Sequence, residues 1–359
     1  MTTPFVSVLI DTYNHERFIE EAIQSVLSQD FPASEREILV VDDGSTDRTP
    51  EILRKFASQI RILRKPNGGQ ASAFNHGIPE CRGELIAFLD ADDWWAPDKL
   101  TRVTNAMAAE PEVGFVGHGI ITVFPDGTQT TEVLRDGFCF QANELSGALL
   151  FRRRCAFMGT SRMTIRRNLA QQIGPIPPEI QIQADEYIYT LAPVLMPIRI
   201  LPEALTYYRV HADNAFHMLN TDPVKLRHKQ KSLAALVKTL SLRLSQLGIG
   251  SEVRRALLDY TDASADQLRL SLDGGWSWET VATEWKIYRV THPNATVAYR
   301  VFKSLTLLTA LFAPPKTFYR TQKALAQNQL YHRLRKKWLP FPEMEHSKRN
   351  GQAHQGSSR

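Results

Sequence analysis

Short apolar runs alternate with helical patterns through residues 6–100, and this alternation restricts the fold more than any other feature of the chain. The runs cover residues 6–10, 38–41, 60–63 and 85–89. Between the first two runs, apolar residues from Phe18 to Leu27 recur at the period of an amphipathic helix. This order predicts an α/β fold in which helices pack on the faces of a parallel sheet.

Each apolar run is followed by a polar, charged or glycine-rich segment. These segments are residues 11–14 (DTYN), 42–45 (DDGS), 64–69 (RKPNGG) and 90–93 (DADD). In parallel sheets, ligands bind in the crevice beyond the carboxyl ends of the strands. We therefore expect the four segments to meet at one edge of the sheet and to form the ligand site there.

The fourth segment contains Asp90, Asp92 and Asp93 directly after a run typical of a strand buried on both faces. Asp90 and Asp92 have the period of a strand, so both side chains can leave it on one side. Carboxylates this close repel each other unless a positive group lies between them. The pattern predicts a shared Mn²⁺ or Mg²⁺ ion that also binds substrate phosphates. The alternative is an acidic turn before a helix that begins near Pro97.

Two common nucleotide-binding motifs are absent. The first run is followed by DTYNHE instead of the G-x-G-x-x-G of dinucleotide-binding proteins, and no G-x-x-x-x-G-K-[ST] loop occurs. A nucleotide would therefore be held by carboxylates and a metal ion, without a glycine-rich phosphate loop.

Cysteine content and hydropathy indicate the cellular location of the protein. Three widely spaced cysteines form neither a zinc motif nor a disulfide framework, which favours a reducing compartment. The N-terminal segment MTTPFVSVLID has no secretory pattern, and no run reaches the roughly 18–20 apolar residues that span a bilayer. We expect a cytoplasmic protein that contacts at most the inner face of the cytoplasmic membrane, and no nucleic-acid partner.

Four stretches together resemble the inverting glycosyltransferases of family 2. They occur in the family's order as SVLIDTYNHERFIEEAIQSVLSQ, EILVVDDGSTDRT, KPNGGQASAFNHGI and GELIAFLDADDWWAPDKL, and cover residues 5 to about 100. The resemblance implies the GT-A fold, a Rossmann-like mixed sheet flanked by helices that binds a nucleotide-diphospho-sugar.

The resemblance also assigns residues to a nucleotide-sugar site. The implied site residues are Thr12, Tyr13, Asp42, Asp43, Lys65, Asn67 and Asp90. Tyr13 would lie against the base, Asp43 would accept a hydrogen bond from it, and Asp92 would be the more direct metal ligand of a D-x-D element. Asp11 departs from the family, which usually has proline there.

Each of these assignments has a simpler alternative. Tyr13 could be a core aromatic residue, Asp42 could cap the turn at Gly44, and Lys65 could be a solvated loop lysine.

The second half of the site is expected after residue 100. Residues 113–116 and 120–124 resemble strands, and a turn is predicted at 125–127 (PDG). By the resemblance, Asp185 is the base that deprotonates the acceptor, with Glu186 as second candidate; both could instead stabilise a helix N-terminus.

Two further assignments extend this half. His211, in a segment resembling Y-R-x-H-x-x-N, would complete the metal shell or touch the diphosphate, or it could be structural. Trp94 and Trp95 could contact the acceptor sugar or pack in the core.

The composition changes near residue 223, where amphipathic helical patterns begin. Residues 298–341 contain nine Lys or Arg and no Asp or Glu, against a net charge of +5 for the whole chain. The apolar stretch 301–313 is too short to span a bilayer and is flanked by basic and aromatic residues. It predicts either a helix in an anionic membrane interface or a buried helical hairpin broken at Pro314 and Pro315.

These observations predict three regions: a GT-A domain at 1–220, with a nucleotide half (1–100) and an acceptor half (101–220); a basic helical region at 221–342; and a disordered tail at 343–359. The predicted activity is metal-dependent, inverting transfer of a sugar from a nucleotide-diphospho-sugar, expected to be UDP-linked, to a hydroxyl of a glycan or lipid-linked acceptor. A sugar nucleotidyltransferase and a non-catalytic sugar- or membrane-binding module are the alternatives.

Overall fold

The computed structural model describes residues 6–154, 158–211, 222–291 and 296–326. The strands in these ranges are β1 (Val6–Thr12), β2 (Arg36–Asp42), β3 (Arg61–Arg64), β4 (Leu85–Asp90), β5 (Trp94–Trp95), β6 (Phe115–Val123), β7 (Gln129–Glu132), β8 (Phe138–Phe140), β9 (Thr164–Arg166) and β10 (Ile198–Arg209). They form one sheet in the order β3-β2-β1-β4-β9-β6-β10-β5, with β7 beside β6 and β8 beside β10.

Helices flank this sheet and make up the C-terminal part of the described chain. They are α1 (Ile19–Leu27), α2 (Thr49–Lys55), α3 (Gln70–Gly77), α4 (Lys99–Ala109), α5 (Leu145–Arg154), α6 (Arg167–Ile173), α7 (Ala184–Leu195), α8 (Pro223–Gln246), α9 (Ser251–Asp273), α10 (Ser277–Thr291), α11 (Val297–Phe312) and α12 (Pro315–Ala326). In these ranges, no helix combines the length and apolar composition that a bilayer crossing requires.

The first four strands form the parallel half that the alternation predicts. β1 lies between β2 and β4, β3 borders β2, and all three pairings are parallel. Residues 85–89 of β4 are all buried, as expected for a strand covered on both faces. The carboxyl ends of the four strands therefore meet at one edge of the sheet.

The other half of the sheet is mixed. β9 is antiparallel to both β4 and β6, and β10 is parallel to β6. β6 and β7 form a hairpin at the predicted turn, in which Gly127 adopts a φ of +79°.

The prediction of two strands at 113–116 and 120–124 is wrong, because β6 runs unbroken through Gly117 and Gly119. A Cβ atom at Gly119 would collide with the carbonyl oxygen of Glu132 on β7 and lie 3.0 Å from that of Glu203 on β10. Glycine therefore allows three strands to approach closely here instead of interrupting one.

Alternate residues of the parallel strands face two hydrophobic layers. Val8 and Ile10 belong to one layer, and Leu9 and Phe88 to the other, as the two-residue period of a strand requires. The layer around Phe88 also includes Leu236 of α8 and buried side chains of α9. The first two C-terminal helices therefore share a core with the sheet.

Candidate active site

Asp90 ends β4 directly beside Asp11 of β1, with which it is paired in register. Burial and the charges of Asp11 and Asp92 raise the pKa of Asp90 well above its ordinary value. Burial and the charge of Asp92 raise the pKa of Asp11 to about 7. The Oδ1 atom of Asp11 is buried and has no hydrogen-bond partner among the described residues. A positive group would stabilise this concentration of carboxylates.

Asp92 differs from its neighbours because a histidine contacts it. The Nε2 atom of His211 lies 3.0 Å from Asp92 Oδ2, and the imidazole packs on Phe18 with 4.7 Å between ring centroids. Burial alone would raise the pKa of Asp92, but His211 and His15 lower it below its ordinary value. The structure thus brings His211 to the predicted metal ligand, whereas residues 212–214 of the same motif lie outside the described residues.

Asp93 is a buried structural residue despite its place beside Asp92. Its Oδ2 accepts the Ser161 hydroxyl at 2.6 Å, and its Oδ1 accepts the Arg209 N–H at 3.1 Å. Burial and the charge of Asp92 raise the pKa of Asp93 to about 8. Asp93 therefore connects the end of β4 to β10.

We call Asp11, Asp90 and Asp92 the acidic corner. It fits a cation that is bound partly by these carboxylates and partly by a substrate. In the described ranges, no group of three or more His, Cys, Asp or Glu side chains is arranged to hold a metal ion alone. Asp90 and Asp92 supply hard oxygen ligands, and Mg²⁺ commonly takes one or two carboxylates together with substrate phosphates. The partnerless Asp11 oxygen and the raised pKa of Asp90 both fit that arrangement.

Asp185 lies in the first turn of α7, at the predicted place of the base. Its Oδ2 accepts the Thr160 N–H at 3.2 Å, and its Oδ1 accepts the Glu186 N–H at 2.9 Å. Burial raises the pKa of Asp185 above its ordinary value, as suits a general base that works near neutral pH.

Glu186 contacts a different part of the molecule. It is buried and accepts a hydrogen bond from the Thr261 hydroxyl of α9. Its carboxylate thus joins α7 to the C-terminal helices, which leaves Asp185 as the better candidate for the base.

Gln70 connects the acidic corner to the helix that carries Asp185. Its Nε2 donates to Asp90 Oδ1 and to Thr160 Oγ1, both at 3.2 Å, and its Oε1 accepts the Ala184 N–H at 3.1 Å. The site residues predicted from the sequence do not include Gln70. Its position directly after a glycine pair at a strand end is the signal that could have identified it.

The backbone around Gly69 makes this bridge possible. Gly69 has a φ of +82°, and a Cβ atom there would lie 2.5 Å from the Gln181 carbonyl oxygen. The same carbonyl accepts the Gln70 N–H at 3.0 Å. Gln183, just before α7, adopts an unusual φ of 60°. The loop before α3 and the segment before α7 are thus hydrogen-bonded to each other beside Asp185, the candidate base.

The two aspartates at the end of β2 have separate roles. Asp42 Oδ1 accepts the Ser45 N–H at 2.8 Å, so Asp42 caps the turn, as its alternative interpretation stated. Asp43 accepts hydrogen bonds from Lys65 and from the N–H groups of Gly68 and Gly69, the latter at 2.7 Å. Lys65 is therefore an ordered partner of Asp43 and not a solvated loop residue.

The loop after β1 presents an exposed aromatic ring. Tyr13 is 43% exposed, which excludes the core alternative, whereas Thr12 is buried. Asn14 adopts a φ of 56°, and its Oδ1 accepts the Thr46 N–H at 2.8 Å. Asn67 is exposed in the neighbouring loop.

The two tryptophans after the acidic segment differ in burial, since Trp94 is half-buried and Trp95 lies in the core. Trp94 stacks on Tyr207 with centroids 5.0 Å apart, and the Arg209 guanidinium lies 4.4 Å from its ring. Trp95 is 2% exposed and donates its indole N–H to the Ser161 carbonyl at 3.1 Å. The acceptor assignment of Trp95 is therefore wrong, because its ring is buried in the core.

Known proteins identify the family of this site. Residues 7–170 match the family model described as Glycosyl transferase family 2. An uncharacterized glycosyltransferase of Nostoc sp. is 33% identical over 258 residues, which cover 69% of this chain and 78% of that protein. The chain belongs to glycosyltransferase family 2. The predicted family and the prediction of a glycosyltransferase enzyme are confirmed.

Solved structures support the GT-A fold of this family 2 glycosyltransferase. TarS 1–349 of S. aureus matches with a TM-score of 0.54 at 18% identity, over 80% of this chain and 81% of that chain. The mannosyltransferase PcManGT from Pyrobaculum calidifontis, in complex with GDP-Man and Mn²⁺, matches with a TM-score of 0.51 at 18% identity, over 93% of this chain and 84% of that chain. The predicted fold class is confirmed.

Membership of family 2 decides between the enzymes considered from the sequence. It places the chain with nucleotide-sugar glycosyltransferases and not with sugar nucleotidyltransferases. Most of the predicted site residues of this glycosyltransferase lie at the edge where the four parallel strands end. Asp185 comes from α7, and His211 follows β10.

Proposed function

We propose that this protein transfers a sugar with inversion from a UDP-linked donor to a hydroxyl of a glycan or lipid-linked acceptor, with Asp185 as the general base. The observation that carries the proposal is the Gln70 bridge, because one side chain contacts both Asp90 and the first turn of α7. That bridge would hold the acidic corner, where the diphosphate would bind, beside Asp185, whose pKa is raised.

The donor would occupy the edge formed by the loops after β1, β2 and β3. Tyr13 offers an exposed ring for stacking on the base, while Lys65 and Asn67 lie on the loop that would face the ribose or the sugar-phosphate. Two fold neighbours support a nucleotide-sugar donor, because TarS 1–349 was solved with UDP-GlcNAc at a TM-score of 0.51 and PcManGT with GDP-Man.

Asp43 is the candidate partner of the base. It accepts hydrogen bonds from Lys65 and from the N–H groups of Gly68 and Gly69, so the loop after β3 fixes its carboxylate at the end of β2. The calorimetry described below compares uracil with guanine directly.

The reaction would be a single displacement. Asp185 takes the proton of the acceptor hydroxyl, the acceptor oxygen bonds to the anomeric carbon, and the bond from that carbon to the diphosphate breaks. The nucleoside diphosphate leaves, and the anomeric centre is inverted. Trp94, which is half-buried and contacts Tyr207 and Arg209, would contact the acceptor.

Asp90 and Asp92 would hold a divalent cation, and His211 would orient Asp92 through the contact between its Nε2 atom and Asp92 Oδ2. When bound, the cation would neutralise charge on the leaving diphosphate. Mn²⁺ in the PcManGT complex supports this part of the proposal.

Calorimetry of UDP and GDP binding, with and without Mn²⁺, tests the donor site. We expect UDP binding that needs Mn²⁺ and that falls at least about tenfold in Asp92→Ala. Asp98→Ala is the matched control, because Asp98 is an exposed carboxylate that pairs with Arg102 on α4. Tighter binding of GDP, or equal UDP binding by Asp92→Ala, would contradict the proposal.

A further inference from the structure

Helix α11 exposes a continuous apolar stripe. Six large apolar residues on this helix are exposed, from 45% at Leu311 to 86% at Phe312; they are Val297, Val301, Leu305, Leu308, Leu311 and Phe312. Their spacing at three, four and seven residues places them on one side of the helix. A helix that stabilises a globular core would have the opposite orientation.

The inward side of α11 is attached through polar and aromatic contacts. The Nζ atom of Lys303 lies 2.7 Å from Oε2 of Glu284, which is buried on α10. Tyr299 is buried beside Tyr288, with 6.1 Å between ring centroids. The buried ion pair fixes the rotation of the helix, so the exposed apolar stripe follows from specific contacts. The structure thereby excludes the alternative of a buried hairpin for these residues.

Two exposed tryptophans extend the apolar surface. Trp276 and Trp278 are 72% and 64% exposed at the start of α10. Between them, the Ser277 hydroxyl donates to the Ala313 carbonyl at 3.3 Å, which places both residues at the end of α11 that carries Phe312. We call the six residues of α11 together with Trp276 and Trp278 the α11 surface.

Positive charge borders the α11 surface. Residues 296–326 contain five Lys or Arg and no Asp or Glu. On α12, Lys316, Arg320 and Lys323 recur at the spacing of one helix face, and Lys316 Cε lies 3.6 Å from a Cβ atom built on Gly274, in the turn before Trp276.

The acidic residues beside this turn are neutralised. Asp273 pairs with Arg227, and Glu279 pairs with Arg269 at 3.1 Å. The border of the surface is therefore cationic.

We propose that the α11 surface rests in the interface of an anionic lipid bilayer. A helix with an exposed apolar face, adjacent tryptophans and basic flanks has the composition of an interfacial membrane anchor. Each Lys or Arg near an anionic membrane adds about 1 kcal/mol of attraction. A second copy of this chain is a poorer occupant, because a two-fold contact through the same surface would bring two basic borders together.

Co-sedimentation with lipid vesicles tests the proposal on the full chain. The vesicles are phosphatidylcholine alone, or phosphatidylcholine with phosphatidylglycerol. We expect binding to the anionic vesicles, a blue shift of tryptophan emission, and weaker binding at high salt. Lys316→Gln/Arg320→Gln should weaken binding by about thirtyfold, since each of the two cations contributes about 1 kcal/mol and 1.4 kcal/mol corresponds to a tenfold change.

A pair of double variants isolates the apolar contribution. Leu305→Ser/Leu308→Ser should bind anionic vesicles at least about tenfold more weakly, because two apolar side chains no longer enter the bilayer. The control, Val224→Ser/Leu242→Ser, changes two similarly exposed residues of α8 and should bind like the wild type. Thermal unfolding followed by circular dichroism should be alike for the wild type and the two double variants, because the changed side chains are exposed.

Three results would overturn the proposal. The first is a folded wild type that binds neither kind of vesicle. The second is vesicle binding that is equal in the wild type and in Leu305→Ser/Leu308→Ser. The third is a dimer, seen by sedimentation velocity, that this variant dissociates while vesicle binding is absent; that result would assign the surface to a second copy.

Discussion

Asp90, Asp92 and Asp93 share one short segment, yet their neighbours give each carboxyl group a different function. Asp90 is half-buried beside Asp11 and has a raised pKa, whereas His211 lowers the pKa of Asp92. Asp93 accepts hydrogen bonds from Ser161 and Arg209 and belongs to the scaffold. Residue type and spacing are nearly the same for all three, so the difference lies in contacts with β1, β10 and residue 211.

The acid limb of the turnover profile should include the titration of Asp185, together with those of Asp11 and Asp90, whose pKa values are also raised. Burial raises the pKa of Asp185 above 3.8, and the base is active only when deprotonated. Activity should therefore fall as the pH decreases through that raised pKa, so the acid limb lies above pH 3.8 in a profile of kcat/KM.

Substitution of the acidic pair on α7 separates catalysis from structure. Asp185→Asn should lower kcat by at least about a hundredfold, the usual contribution of a general base, with UDP affinity unchanged. Glu186→Gln keeps a side chain that can face Thr261 and should retain most activity. Equal losses in the two variants would contradict the assignment of the base.

Gly69→Ala tests the close approach beside the site. The φ of +82° and the clash with the Gln181 carbonyl should together destabilise the protein by about 1–3 kcal/mol and reduce activity. Gly127→Ala is the control, because Gly127 has a φ of +79° but no atom within 4 Å of the added Cβ. Urea unfolding should show the larger loss for Gly69→Ala; the same loss in both variants would mean that backbone strain alone matters.

At the scale of elements, the site depends on how the loop before α3 meets the start of α7. The Gln70 side chain and the Gly69 backbone join these elements, and Glu186 continues the chain of contacts from α7 to α9 through Thr261. The nucleotide half, the base and the C-terminal helices are therefore connected through one series of hydrogen bonds.

Removal of the Gln70 bridge should impair catalysis more than donor binding. In Gln70→Ala, Asp90 and the first turn of α7 lose a common partner, and misplacement of a base by about 1 Å can cost about a hundredfold in rate. We expect kcat to fall by about tenfold to a hundredfold, with a smaller change in UDP affinity by calorimetry. Gln24→Ala, on the exposed side of α1, should have normal kinetics; unchanged kcat in Gln70→Ala would refute the bridge.

At the scale of the molecule, the C-terminal helices continue the core of the sheet. Leu236 and Leu240 of α8 and Leu257 of α9 are buried in the same layer as Phe88 and Phe74, whose rings meet edge to face at 5.2 Å. A shared layer couples the stability of the two parts, while α11 keeps its apolar side outside this core.

We expect one cooperative unfolding transition for the sheet and α8–α9. Leu236→Ala should lower the free energy of unfolding by about 2–5 kcal/mol, as for other buried leucines. Leu242→Ala, on the exposed side of α8, should change it by about 0.5 kcal/mol or less. Urea titrations followed by circular dichroism and by tryptophan fluorescence should coincide; two separated transitions would show that the helices fold independently.

Local sequence pattern was sufficient for the parallel half of the fold and for placing Asp43, Asp90 and Asp92 at its strand ends, whereas Asp185 was assigned only through the resemblance to family 2. Periodicity reports which residues are buried within one element, and the polar segments at strand ends must meet wherever parallel strands are neighbours. These features depend on short stretches of chain, so the sequence by itself determined them.

Tertiary structure decided which of these residues are buried in the scaffold and which remain accessible at the candidate site. Trp94 and Trp95 are adjacent, but only contacts with Tyr207, Arg209 and Ser161 distinguish the half-buried ring from the core ring. The bridging role of Gln70 and the outward apolar face of α11 likewise arise from partners far away in the chain. Periodicity gives the face of a strand or helix, but the partner that meets that face is set by packing between distant segments.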